Sequence, residues 1–421
     1  MALLIIINFL LCLSIFVFFV LQRNITSRNN TKLPPGPRGL PFIGNLHQLN
    51  VSKPHVLFWE LSKKYGPLMS LRLGFSPSLV VSSVKMAKEI LKTHGLQFCS
   101  RPASVAQQKL SYNGLDLAFS PYYEYWREIR KICVIHLFNS NRAKKFRPIR
   151  EDEVSRMMEK ISKSVAASNP VNVSEVMMSL TSTIICRIGF GKRYDEDKAT
   201  SGRSRFHTLL NETLNVFVAG ADTSAATVVW AMTYLMKNPR AMKKVQLEIR
   251  SLIGGNKGFV NEDDVQELHY LKAVVKETMR LQPTVPLLIP RETIQKCVID
   301  GYAIPAKTRV FVNAWAIGRD PEAWENPEEF YPERFIDSCI DFKGQHFELI
   351  PFGAGRRICP GLNMGIATVD LALANLLYKF DWEMPLGIKS HDLDFDVLLG
   401  IAMHKKNALS LLPKLSIMMS R

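Results

Sequence analysis

Residues 3–21 are apolar almost without a break, with only Asn8 and Ser14 interrupting the run. At 1.5 Å per residue, a helix of that length spans roughly the hydrocarbon core of a bilayer. No charge precedes it, whereas Arg23, Arg28, Lys32 and Arg38 follow. Positive charge resists translocation, so the pattern predicts a cytosolic body behind the helix. A cleaved signal fits less well, because the run exceeds an ordinary signal core, lacks a basic leader and has no small-x-small site after Leu21. Residues 1–22 are therefore expected to be a retained transmembrane anchor. Residues 23–41 read as a basic, proline-rich linker. The prolines at 34, 35, 37 and 41 fix φ and remove donors, which excludes helix or central strand and suggests a semi-rigid spacer.

Residues 42–421 show no second linker, repeat or low-complexity tract and are read as one domain. Alternation predicts a β-hairpin from 67–73 and 78–82 around a turn at 74–77, and Ser83 is placed to cap a helix running to about residue 93. Helical periodicity recurs at 122–137, 142–167, 173–190, 204–237, 239–252, 268–281 and 362–380. Short strands are expected at 298–304, 309–312 and 408–412. The fold class is thus mainly α with small peripheral β-sheets, and there is no βαβ alternation or glycine-rich dinucleotide fingerprint.

Composition narrows the picture. With 47% hydrophobic and 22% charged residues in 421, the chain can bury a large core and is not a disordered protein. A net charge of +16 calls for an anionic partner: nucleic acid, membrane lipid or an acidic protein surface. No nucleic-acid-binding motif accompanies that charge, so no nucleic acid is expected. Seven scattered cysteines (12, 99, 133, 186, 297, 339 and 359) include no CxxC pair, which argues against a disulfide scaffold or zinc ribbon.

The most specific stretch is Pro351-Phe352-Gly353-Ala354-Gly355-Arg356-Arg357-Ile358-Cys359-Pro360-Gly361. Glycines on both sides of a cysteine let the backbone turn sharply and approach a flat ligand. A helix is expected from 362, with its positive end facing the sulfur, and with nearby arginines this should lower the thiol pKa. A lone thiolate on a rigid loop suits an axial haem position better than a tetrahedral zinc site. The alternative is a buried structural cysteine.

The complete pattern F-x-x-G-x-R-x-C-x-G resembles the ligand loop of the cytochrome P450 haem-thiolate monooxygenases, and the resemblance runs from the anchor to the C-terminus. It is nearest to the plant microsomal A-type group acting on specialised metabolites. Three further motifs stand in the family's order. In Ala219-Gly220-Ala221-Asp222-Thr223-Ser224 the resemblance implies an oxygen-binding groove at Ala219 and Gly220, with Thr223 and Asp222 delivering protons. By its residues alone, a glycine followed by polar residues is expected to loosen the helical ladder here, and the stretch is equally good helix-capping chemistry. Glu277 and Arg280 share a helix face, and the family builds from them a buried network to which Arg334 would belong. Trp126, Arg130, Arg291 and Arg357 match positions that hold the haem propionates, and Phe352 belongs to the ligand loop. Segments 102–118, 284–289 and 399–403 would face the substrate.

The resemblance implies haem b with Cys359 as axial ligand, O2, a small apolar substrate, and NADPH-cytochrome P450 reductase as electron donor at the endoplasmic reticulum membrane. One departure is large. The chain is shorter than full-length members by several tens of residues, at a join read at 211–216, so the pocket-roof helices and the first half of the groove helix are expected to be lacking. Two other readings remain: a non-catalytic haem-binding membrane protein, and a reductase-independent isomerase or dehydratase. Thr223 and Asp222 argue against the latter.

Overall fold

A computed structural model of the protein describes residues 2–28, 32–50, 52–110, 114–193, 215–255, 257–398, 400 and 402–416. Its helices are α1 (Ala2–Arg28), α2 (Pro54–Tyr65), α3 (Val84–Lys88), α4 (Val105–Leu110), α5 (Glu124–Cys133), α6 (Ser140–Lys145), α7 (Arg147–Ala166), α8 (Val173–Phe190), α9 (Asn215–Lys237), α10 (Pro239–Ile253), α11 (Glu262–Gln266), α12 (His269–Leu281), α13 (Ala314–Ile317) and α14 (Leu362–Lys379). The strands are β1 (Leu68–Leu73), β2 (Ser76–Val81), β3 (Val171–Asn172), β4 (Arg291–Glu292), β5 (Cys297–Ile299), β6 (Tyr302–Ile304), β7 (Arg309–Val312), β8 (Phe380–Glu383), β9 (Val397–Leu398), β10 (His404–Lys405) and β11 (Ser410–Leu415). They form a four-stranded sheet ordered β1-β2-β7-β4, a three-stranded sheet β3-β11-β8, and the hairpins β5-β6 and β9-β10.

α9 and α14 are apolar nearly all round, and such helices belong inside a core. Val228 to Leu235 in α9 are buried, as are Thr368 to Tyr378 in α14. Around them α7, α8, α10 and α12 supply Val154, Met177, Ile184, Val245 and Val275 to one continuous cluster. α8 is long and apolar enough to cross a bilayer, but Met177, Leu180 and Ile184 place it in this core. A second cluster lies under the larger sheet, built from Leu68, Leu79, Val81, Ile90, Val310 and Val312. Phe352 packs on the first cluster and Ala354 lies in the second, so loop 351–361 is wedged between them.

Caps fall where short polar side chains stand. Ser83 accepts from Met86 N, Asn172 accepts from Glu175 N, and Asn261 closes a reciprocal box with Asp264. Most predicted elements are present. The expected helix 122–137 is divided between α5 and a π-type turn at Val134–Phe138, and 142–167 is divided at Phe146. Of the expected helix 204–237, residues 204–214 lie outside the described residues, as does most of the join at 211–216. α2 was not expected from the pattern: only His55 and Phe58 of its twelve residues are buried, too few for a clear period.

α1 continues to Arg28, and its side chains from Leu4 to Phe18 stand largely exposed. The proline stretch is not a free spacer. Ser70 N donates to Pro35 O at 2.8 Å, and a Cβ at Gly36 would stand 1.9 Å from Ser70 O. Arg72 Nη2 donates to Leu40 O at 2.6 Å, and Asn45 N to Arg72 O at 2.6 Å. The segment therefore lies along β1 as part of the body.

Glu277 and Arg280 are wholly buried. Glu277 accepts from Arg280 Nε and Nη2 at 2.7 and 2.8 Å, Arg334 Nε at 3.0 Å and Tyr331 N at 2.8 Å. This is the expected network, not a surface pair.

Candidate active site

The cysteine loop is shaped by its glycines. Gly353 and Gly355 both hold φ near +67°, where a side chain is strained. A Cβ at Gly355 would also come within 2.1 Å of Leu91 O. Cys359 N donates to Phe352 O at 2.9 Å, closing the loop at its base, and α14 starts three residues on. Phe352 is held edge-on by Phe342, with ring centroids 5.6 Å apart.

Cys359 opens on a cavity of about 260 Å³ whose lining is mostly apolar. The facing wall is α9, through Ala219, Gly220, Thr223, Ser224 and Thr227. α8 adds Thr181, Ile184 and Ile185, and the rim carries Thr284, Val285, Leu288 and Ile289. Of the expected substrate-facing segments, 102–118 reaches the cavity at Leu117 and Ala118, and 284–289 along most of its length. Residues 111–113, 399 and 401 lie outside the described residues. Residues 400, 402 and 403 do not line the cavity, although Met403 N donates to Thr284 O at 2.7 Å. Ala219 is exposed while lining the cavity, so the α9 side is open.

Four arginines converge at the other edge. Arg357 donates from Nε to Cys99 O and from Nη2 to Ser120 O, both at 2.8 Å, and its guanidinium lies 3.7 Å over the Trp126 ring. Arg291 Nη2 donates to Ala354 O at 3.1 Å, and Arg130 Nη2 to Ile358 O at 2.6 Å. Among the described residues these three bond only to backbone carbonyls. Nη1 of Arg291 and of Arg357 is buried with no partner. Burial, reinforced by mutual repulsion, pulls Arg357 down to about 9, and burial pulls Arg291 down to about 10. Buried cations with unmet donors call for an anion. Haem, with two propionates, fits this donor set, and Cys359 is the only cysteine among the described residues that line the cavity. Among the described residues no group of three or more His, Cys, Asp or Glu gathers for another metal.

Sequence reasoning missed Arg101. It is buried at the cavity edge and donates to Ala118 O, Ile289 O and Pro290 O at 2.9, 2.5 and 2.9 Å. Its only sequence signal is an Arg-Pro pair opening an apolar segment. Three expectations need correction. Trp126 does not offer its indole N–H to a carboxylate, because that N–H donates to Leu117 O at 2.9 Å; the ring serves Arg357 as a stacking plane. The Cys359 thiol is not lowered. Burial pushes it up, outweighing the pull of the Gly361 and Leu362 N–H groups and of Arg130; a bound metal cation would displace the proton. Finally, α9 is unbroken across 219–224. Thr223 Oγ1 donates to Ala219 O at 2.6 Å and Ser224 Oγ to Gly220 O at 2.9 Å, so the hydroxyls back-bond within the ladder and do not open it. Asp222 does not line the cavity; it turns to His404.

The family model described as Cytochrome P450 matches residues 34–206 and 202–411. A 6,7,8-trihydroxycoumarin synthase of Pastinaca sativa is 44% identical over 490 aligned positions, covering 95% of this chain and 96% of the relative. A 5-OH-xanthotoxin synthase of the same plant is 45% identical over 492, with the same coverages. These alignments are longer than the 421-residue chain, and the family match falls into two pieces that overlap at 202–206. The chain is therefore internally shortened before α9. A zebrafish cytochrome P450 solved with abiraterone superposes with a TM-score of 0.74 at 25% identity, covering 86% of this chain and all of that one.

Proposed function

From a chain that belongs to the cytochrome P450 family and carries its ligand loop complete, we propose a monooxygenase that hydroxylates a small planar aromatic compound of the coumarin type. When bound, haem supplies the activation of O2. The overall balance is one substrate C–H, O2, NADPH and a proton giving C–OH, water and NADP+. Cys359 would supply the thiolate that holds the haem iron. Arg130, Arg291 and Arg357 hold the propionates, with Trp126 stacked beneath Arg357, and Phe352 fixes the loop. Ala219 and Gly220 would leave room for O2 at the α9 wall, and Thr223 and Asp222 would pass protons toward the cavity. The mostly apolar cavity wall supports an apolar substrate, and two relatives whose names specify hydroxylated coumarins support the class. The observation that carries the proposal is the loop presenting Cys359 beside buried arginines that lack an anion.

The test uses membranes containing the protein, NADPH-cytochrome P450 reductase and xanthotoxin. NADPH-dependent oxygen uptake is expected, with a product one oxygen heavier. Because Ala219 lies open to solvent, peroxide should account for the larger share of the NADPH consumed. Absence of any reductase-dependent uptake in haem-loaded protein would instead favour a second reading, a non-catalytic haem-binding membrane protein, which the same open wall supports.

Residues 1–22 serve as the anchor, 23–41 as the connection and 42–421 as the haem-binding catalytic domain, facing the cytosol from the endoplasmic reticulum. The net charge of +16 suits an acidic flavoprotein surface as well as anionic lipid. Protease added to sealed microsomes should digest everything beyond the anchor. A fully protected body, or a glycan at Asn172 in Asn172-Val173-Ser174, would reverse this orientation.

A further inference from the structure

Asp222 Oδ2 lies 2.8 Å from His404 Nε2, a partner 182 residues away in the chain. The imidazole is placed by backbone contacts. His404 pairs with Leu398 across β9-β10. Just before it, Met403 O accepts from Trp230 Nε1 of α9 at 3.1 Å, and Met403 N donates to Thr284 O at 2.7 Å. Trp230 is fully buried and Thr284 lines the cavity. The neighbouring Lys405 is engaged elsewhere, its Nζ bonded to Asp394 O at 2.8 Å.

The two side chains keep 26% and 30% of their exposure, so the outer side of the pair meets water. Thr223, the next residue on α9, faces the cavity. Thr223 thus lines the cavity, while Asp222, one residue earlier on α9, stands outside it and meets the part-exposed His404. Imidazole suits such a position because it carries a donor and an acceptor on opposite ring edges.

We infer that His404 is a positioning residue for the oxygen chemistry. It holds the Asp222 carboxylate on the solvent side of α9 and is the group through which that carboxylate is re-protonated. This rests on the monooxygenase reading. In the step, the His404 Nε2–H bond breaks as an Asp222 Oδ2–H bond forms, and Nδ1 accepts the replacement proton from water. No electrons move.

Two measurements on the full chain test it. In protein labelled with 15N-histidine, the His404 ring signals, assigned by their loss in His404→Gln, should shift in Asp222→Asn; unmoved signals overturn the pairing. Turnover is then compared under two drives, reductase with NADPH and cumene hydroperoxide alone. The peroxide brings its own oxygen and protons, so it bypasses the relay. In His404→Phe, product formed per NADPH should fall about a hundredfold, the low end of what proton-transfer groups contribute, while peroxide-driven turnover falls far less. His404→Gln can still donate to Asp222 but cannot pass a proton on, and should show the same split. Equal losses under both drives, or a Gln variant as well coupled as the parent, overturn the relay role. A chain silent under both drives overturns the monooxygenase reading, and the spectra still decide the pair.

Discussion

Cys359→Ser should abolish the red-shifted Soret band that the reduced, CO-treated protein is expected to show. The substitution changes one atom, so the loop has little reason to collapse. Cys359 N still donates to Phe352 O, and the glycine conformations at 353 and 355 do not depend on the sulfur. What disappears is the soft, electron-rich donor. The six other cysteines do not line the cavity, so none can substitute. The arginine cluster is untouched, so a bound haem without the thiolate signature is the expected species in the variant. An unchanged band would assign the ligand elsewhere.

Glu277→Ala should sharply lower the unfolding temperature and the yield of haem-loaded protein. The carboxylate is fully buried and holds two arginines, and Arg280 is as buried as its partner. Removing the acid leaves Arg280 bonded only to the carbonyls of Gly318, Pro327 and Glu329. Breaking one side of a buried ion pair costs about 3–5 kcal/mol, against a net domain stability of about 5–15 kcal/mol. The damage should extend to the haem pocket, because Met279 of the same helix lines the cavity. Thermal unfolding and the yield of haem-loaded protein both report it. A triple variant with Glu277, Arg280 and Arg334 all replaced by methionine should be less destabilised than Glu277→Ala, since it leaves no buried charge unpaired. A variant with Glu277→Ala and unchanged unfolding temperature would show that the network contributes nothing.

How much of this was legible depends on the range of the interaction. The helices with apolar faces and the β1-β2 hairpin follow from local periodicity, and the cysteine loop follows from residues within one eleven-residue stretch. Glu277 with Arg280 was readable as a pair at i and i+3, but its burial was not, since that depends on Tyr331 and Arg334 arriving from a later loop. Arg101 went unread because its three acceptors are backbone carbonyls, which no side-chain pattern reveals. The same holds for Trp126, whose N–H goes to a main-chain oxygen nine residues back. Asp222 was read as a candidate acid, but its partner His404 stands in the β9-β10 hairpin and could not be inferred from neighbours on α9. The expected loosening of α9 failed for a simpler reason: threonine and serine hydroxyls satisfy themselves against the carbonyl one turn earlier, so the ladder closes.

The docking of the proline stretch on β1 alters how the body sits beside its anchor. Read from sequence, residues 23–41 would be a semi-rigid spacer that stands between anchor and body and sets the angle between them. With α1 continuing to Arg28 and Lys32 O accepting from Ala303 N at 3.0 Å, the next tie to the body comes four residues after Arg28. Fully stretched, four Cα–Cα steps reach at most about 15 Å. On the anchored reading proposed above, a domain held that closely to α1 would ride at a nearly constant height, with one side turned toward the lipid. Encounters with a membrane-bound electron donor would then become a search in two dimensions. A side chain at position 36 would peel the leash from the sheet and restore the third dimension.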